Sequence, residues 1–230
     1  MVKSKIYRGD IMDLIIYILE MVMVLVAIIL HEMAHAYMSF FLGDPTPKET
    51  GRLTPNPLKH IDIFGLVCMF LFRIGWAKPV RIDSEYYKNR RVGIFLVALA
   101  GPLMNFILAI LSLISATLLF KFGYLFVTTN VLGDLIFYLL QFFAMINISL
   151  GIFNLIPIPP LDGSRIVGSF LSANAYIGYM RVERYGFYII FGILALDRIL
   201  SMITGNPTLF SQALEFVYNF LFEGILKLIL

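Results

Sequence analysis

The stretch AIILHEMAHAYMSFFLG, residues 27–43, sets His31, Glu32 and His35 inside a run of otherwise apolar residues. On a helix, positions i and i+4 share one face, with Cβ atoms about 5–6 Å apart. His31 and His35 can therefore offer imidazole nitrogens to a single metal ion. Glu32, one step round the helix, stands beside the metal's open position, where it can serve as general base on a water that the metal acidifies. The HExxH spacing is the usual sequence sign of this chemistry. Chance matches occur in soluble helices. In a membrane span they are disfavoured, because burying three such side chains without partners costs at least a few kcal/mol each.

Two histidines need a third protein ligand. The segment NISLGIFNLIPIPPLDGSRIVGSF, residues 147–170, is a hydrophobic span that breaks at Pro157, Pro159 and Pro160 and then delivers Asp162 and Gly163. Prolines unwind a helix locally, and irregular backbone survives in lipid only where it lines a protein cavity. A plain turn between helices would also use P-P-L-D-G, so this segment gains its meaning from HEMAH.

The elements that must position these residues follow from composition. Of 230 residues, 60% are hydrophobic and 14% charged, with a mean hydropathy of +0.86; soluble proteins have about 45–50% and about 25%. This pattern indicates an integral membrane protein of all-α, polytopic class. Apolar runs near 11–41, 92–120, 134–157, 186–204 and 208–229 give about five transmembrane helices at roughly 17–25 residues each. The first run carries HEMAH and lacks a small-residue cleavage site, so it is expected to stay in the mature protein. A single cysteine, Cys68, excludes internal disulfides and any thiolate metal cluster. With no internal repeat or appended soluble segment, residues 1–230 read as one membrane-embedded domain, with a catalytic core at about 11–170 and further helices at 186–229.

Charge sets the expected orientation. Residues 43–91 carry Lys48, Arg52, Lys59, Arg73, Lys78, Arg81, Lys88, Arg90 and Arg91, whereas the 121–133 loop has only Lys121. Basic loops stay in the cytoplasm, which puts 43–91 inside and the N-terminus outside the cell membrane. Within that loop, IDIFGLVCMFLFRIGWA, residues 61–77, is apolar but short and contains Gly65 and Gly75. It reads as a membrane-dipping hairpin segment rather than a sixth span.

HEMAH in a first span, AGPLMNF at 100–106 in a second and FNLIPIPPLDG at 153–163 in a third resemble the three core helices of the site-2 protease family of intramembrane zinc metalloproteases. GRLTPNPLKHIDIFG and GWAKPV resemble that family's membrane-dipping β-hairpin region. The match covers roughly residues 20–170. The resemblance implies hydrolysis of peptide bonds in transmembrane protein or peptide substrates, with one Zn2+ per chain. His31, His35 and Asp162 match the family's metal ligands, and Glu32 its general base. Asn105 and Asn154 match asparagines that hold substrate backbone or the oxyanion. The larger members' PDZ and CBS domains have no counterpart here, and no nucleic-acid partner is expected.

Two alternatives stay open at this stage: a CAAX-type membrane metalloprotease, and a zinc-binding transporter or scaffold without catalysis. The former usually takes a glutamate as third ligand, and no Glu here sits in a comparable broken span. By residue chemistry alone, Asn105 and Asn154 serve equally well as interhelical clamps. His60, the only other histidine, reads as structural or interfacial. Glu20, eleven positions before His31, shares its helical phase to within about 20°, which suggests a pair with Arg198 across the outer half of the bundle.

Overall fold

The structure is a computed structural model that describes residues 10–72 and 78–229. The chain runs through α1 (Asp10–Phe41), α2 (Thr46–Glu49), α3 (Pro57–His60), α4 (Ile63–Phe72), α5 (Arg90–Phe122), α6 (Tyr124–Thr129), α7 (Val131–Asn154), α8 (Asp162–Gly168), α9 (Ala173–Met180), α10 (Glu183–Thr204) and α11 (Leu209–Ile229). A 3-10 turn at Ser84–Tyr86 precedes α5. Uninterrupted apolar sequence becomes helix because lipid offers no partner to a backbone amide or carbonyl. Where the chain leaves the apolar phase, asparagines start the next helix: Asn89 accepts from the Val92 amide and Asn130 from the Leu132 amide.

Four helices are long and apolar enough to cross a membrane: Ile11–Phe41, Arg90–Phe122, Val131–Asn154 and Glu183–Thr204. The fifth expected run forms α11, which carries Glu215, Glu223 and Lys227 and is not among them. It lies against α5 and α7, where Leu113, Ala144 and Ile225 form a buried cluster.

Helices α1, α5 and α7 form the core. Small residues allow their close approach: Ala27 and Ala36 on α1, Ala109 and Ala116 on α5 and Ala144 on α7 have no exposed surface. Polar clamps supplement the packing, as where Ser112 Oγ donates to the Leu140 carbonyl across 2.8 Å.

The residues flanking the 61–77 segment meet, since the Lys78 amide donates to the His60 carbonyl across 2.8 Å. Its first arm, however, is the helix α4, and no strand forms among the described residues. Of the β-hairpin region implied by the resemblance, the described residues show a single bridge position, at Ile61. An unbroken apolar run satisfies its own backbone as a helix, and Gly65 lies within α4 without breaking it. The Tyr17 hydroxyl on α1 donates to the Phe70 carbonyl, which ties the far end of α4 to the N-terminal half of α1. Arg73 and Gly75 lie outside the described residues.

Candidate metal centre

His31 and His35 lie in the C-terminal half of α1, a helix of 32 residues. At 1.5 Å per residue it is ~48 Å long, against ~30 Å of hydrocarbon. Asp162 opens α8, directly after the proline-rich break that follows α7. The fold brings the three side chains together. His31 Nε2 lies 3.1 Å from His35 Nε2, and Asp162 Oδ2 lies 3.1 Å from the first and 3.2 Å from the second. Both histidines are buried.

The outer nitrogens of the two rings decide what this triangle can hold. His35 Nδ1 lies 2.6 Å from the Val97 carbonyl oxygen, which can only accept. His31 Nδ1 lies 2.6 Å from Asn105 Oδ1, likewise an acceptor. Each Nδ1 therefore carries the proton, and in the neutral rings both Nε2 atoms present lone pairs to each other and to a carboxylate oxygen. Three lone-pair donors in mutual contact need a cation between them. Tetrahedral zinc, with bonds of about 2.0–2.1 Å, sets its ligand atoms about 3.3 Å apart. The donor set fits this ion in chemistry and in size, and it leaves a fourth position to water or substrate.

Packing makes the triangle possible. On α5, Gly101 lies under both imidazoles, where a Cβ would come within 2.3 Å of His35 Nε2 and 2.6 Å of His31 Cε1. The break before Asp162 is equally tight: a Cβ on Gly163 would meet the Leu155 carbonyl oxygen at 2.2 Å.

Glu32 is half-buried on the same helix, and its Oε2 accepts from the Val80 amide across 3.2 Å. Asn154, at the end of α7, donates from Nδ2 to the Leu150 carbonyl across 3.0 Å. Asn105 is fully buried. Its oxygen faces His31 and its nitrogen donates to Asn147 Oδ1 across 2.9 Å. Asn105 thus stands behind a histidine, with its oxygen and its nitrogen both engaged. His60 takes no part: it is fully buried in the loop region, with Nε2 2.7 Å from the Thr54 carbonyl oxygen.

Four contributors escaped the sequence reading. The Val97 carbonyl and the Val80 amide are backbone groups and carry no side-chain signal. Gly101 is one small residue within AGPLMNF, and Asn147 resembles any lone amide in an apolar helix.

Comparison with known proteins finds metalloprotease relatives. Residues 125–196 match "Peptidase family M50". The chain is 36% identical over 168 residues to "Putative zinc metalloprotease YwhC" of Bacillus subtilis, covering 72% of this chain and 74% of that protein. It is 27% identical over 217 residues to "Putative zinc metalloprotease Rip2" of Mycolicibacterium smegmatis, covering 91% of this chain and 76% of that one. With "Zinc metalloprotease MJ0392" of Methanocaldococcus jannaschii, identity is 25% over 192 residues, covering 80% of this chain and 45% of the other. No solved structure matches. With three-quarters of a relative covered at this identity and a His-His-Asp triangle in place, the chain belongs to peptidase family M50, the site-2 protease family.

Proposed function

We propose that the chain hydrolyses peptide bonds of transmembrane substrates within the bilayer, at a zinc ion held by His31, His35 and Asp162, with Glu32 as general base. The coarser statement is plain: this is a zinc metalloprotease with several apolar helices. The single observation that carries the finer reading is the triangle of two imidazole Nε2 atoms and a carboxylate oxygen, 3.1–3.2 Å on each edge, on elements buried among apolar helices. Zinc bound there supplies Lewis acidity and brings the pKa of water from 15.7 down to about 7.

The chain's own residues do the rest. The Val97 carbonyl and Asn105 hold the two rings by Nδ1, so that Nε2 is the atom that would bind the metal. Glu32 takes the proton of the attacking water on a carboxylate oxygen and passes it to the leaving amide nitrogen. Asn154, whose Nδ2 is engaged with its own helix, offers Oδ1 to a substrate backbone amide. Burial of the triangle between α1, α5 and α8 keeps bulk water away and strengthens these electrostatic terms. Residues 1–230 act as one unit of a multi-pass cell-membrane protein, with 43–91 on the cytoplasmic side and the N-terminus outside.

The test uses Glu32→Gln. The variant should bind one zinc per chain and fold as the wild type does, yet cleave a transmembrane peptide at least a hundredfold more slowly. A transporter or scaffold would lose little on this change, and unimpaired cleavage would remove Glu32 from the mechanism.

A further inference from the structure

We propose that Asn147 is a positioning residue of the metal centre: it fixes the direction of the Asn105 amide and, through it, the tautomer of His31. The inference rests on the reading of His31 as a zinc ligand.

A chain of obligatory acceptors carries the argument. Asn147 Nδ2 donates to the Phe143 carbonyl of its own helix across 2.8 Å. A carbonyl cannot donate, so the Asn147 amide has one orientation and its Oδ1 points away from Phe143. That oxygen accepts from Asn105 Nδ2 across 2.9 Å. The Asn105 amide is then fixed as well, with Oδ1 toward His31 Nδ1 at 2.6 Å. An acceptor there places the ring proton on Nδ1 and frees the Nε2 lone pair for the metal.

Asn105 and Asn147 both have no exposed surface, so bulk solvent does not reach either partner. Direction therefore passes from the backbone of α7 across α5 to a side chain on α1. His35 needs no such relay, because the Val97 carbonyl acts on it directly. The asymmetry explains why two buried asparagines stand behind one histidine and none behind the other.

Without Asn147, the Asn105 amide is free to turn over. Its NH2 would then face His31 Nδ1, stabilise the tautomer protonated on Nε2, and set a proton where the metal belongs. An aspartate at 105 presents an oxygen whichever way it turns. The dependence on Asn147 should therefore vanish in an Asn105→Asp background.

The experiment measures zinc affinity of the purified full-length protein by competition with a chelator, together with the visible absorption of the cobalt-substituted form. Asn147→Leu keeps the side-chain volume and should weaken zinc binding 10–100-fold, the range typical of lost outer partners. In the Asn105→Asp background, the same change should cost less than threefold. An equal loss in both backgrounds would reduce Asn147 to a packing residue and overturn the proposal, as would wild-type affinity in Asn147→Leu. If the leucine variant does not fold, Asn147→Ala removes the amide without adding bulk and is judged by the same comparison. His31→Ala separates the two claims. Loss of zinc there alongside wild-type affinity in Asn147→Leu refutes only the relay, whereas zinc retention in His31→Ala refutes the ligand assignment beneath it.

Discussion

The Val80 amide donates to Glu32 Oε2 across 3.2 Å, and so a segment 48 residues further along the chain holds the proposed base. Residues 78–83 form neither helix nor strand and are pinned from several sides. The buried Arg52 guanidinium donates to the Lys78 carbonyl at 3.1 Å and to the Pro79 carbonyl at 3.2 Å. The Asp83 amide donates to Asp44 across 2.8 Å. Burial lowers the pKa of Arg52, while the nearby charge of Glu32 favours its charged form.

Arg52→Ala should release this segment from Glu32. We expect kcat/KM to fall roughly 10–100-fold, on the scale of a 1 Å misplacement of a reacting group, with zinc content unchanged because Arg52 touches none of the ligands. Arg52→Lys should recover only part of the loss, since an ammonium is a single point where the guanidinium spans two successive carbonyls. Kinetics and metal analysis on the same preparations check both; wild-type turnover in Arg52→Ala would exclude a positioning role.

Asp44 gives the fold a predictable response to acid. Its fully buried carboxylate accepts from Ser39 Oγ at 2.7 Å, from the Thr46 amide at 2.9 Å and from the Asp83 amide. Ser39 Oγ in turn accepts from the Tyr87 hydroxyl at 2.7 Å. Burial pushes the Asp44 pKa up, but these hydrogen bonds together hold it below the ordinary carboxylate range. With the folded pKa below the unfolded value of about 3.9, the unfolded state binds the extra proton. The stabilisation is thus present above that value and lost as pH falls through the folded pKa. Asp44→Ala should cost about 1.5–3 kcal/mol at neutral pH. Melting temperatures recorded from pH 7 to pH 3 should drop less steeply in Asp44→Asn than in the wild type.

The metal-binding triangle was more legible in the sequence than the groups that support it. His31 and His35 announce themselves by spacing, and Asp162 by the prolines that open its span, because both are local patterns. Supporting groups are assigned by tertiary packing, which no local pattern encodes. Asn105 illustrates this: an amide in a span needs partners, but only the approach of α5 to α1 makes His31 one of them. Glu20 illustrates it again. Its helical phase matches that of His31, yet it accepts from the Tyr138 hydroxyl on α7, and no ion pair joins it to Arg198 among the described residues. Helix α10 lies elsewhere, with Gly186 against the Pro159 carbonyl and Asp197 accepting from the Leu209 amide that opens α11.

The proposed orientation rests on the basic loop at 43–91. Lys88 and Thr128 are both exposed, and they lie on opposite sides of the membrane if α5 crosses it. In a Cys68→Ser background on intact cells, an impermeant thiol reagent should label Thr128→Cys and spare Lys88→Cys until the membrane is opened. Labelling of Lys88→Cys from outside would invert the topology and turn the active site toward the other face.

Asp162 at the start of α8 and Asp197 within α10 separate metal binding from helix capping. Asp162 Oδ2 stands 3.1–3.2 Å from both imidazole Nε2 atoms, close enough to share a cation with them. Asp197 instead accepts from the Leu209 amide at 2.9 Å and the Phe210 amide at 3.4 Å. It holds the start of α11 and has no partner in the triangle. Removing Asp162 leaves two imidazoles, and a two-nitrogen site lacks the third protein ligand usual in catalytic zinc. Asp162→Ala should therefore lower zinc occupancy at least tenfold under a buffered chelator and abolish cleavage, while the helical circular-dichroism signal persists. Asp197→Ala should retain zinc and turnover and lose about 0.5–2 kcal/mol of stability, the usual cost of removing a helix cap. The opposite pattern, with zinc kept in Asp162→Ala and lost in Asp197→Ala, would move the metal out of the triangle altogether.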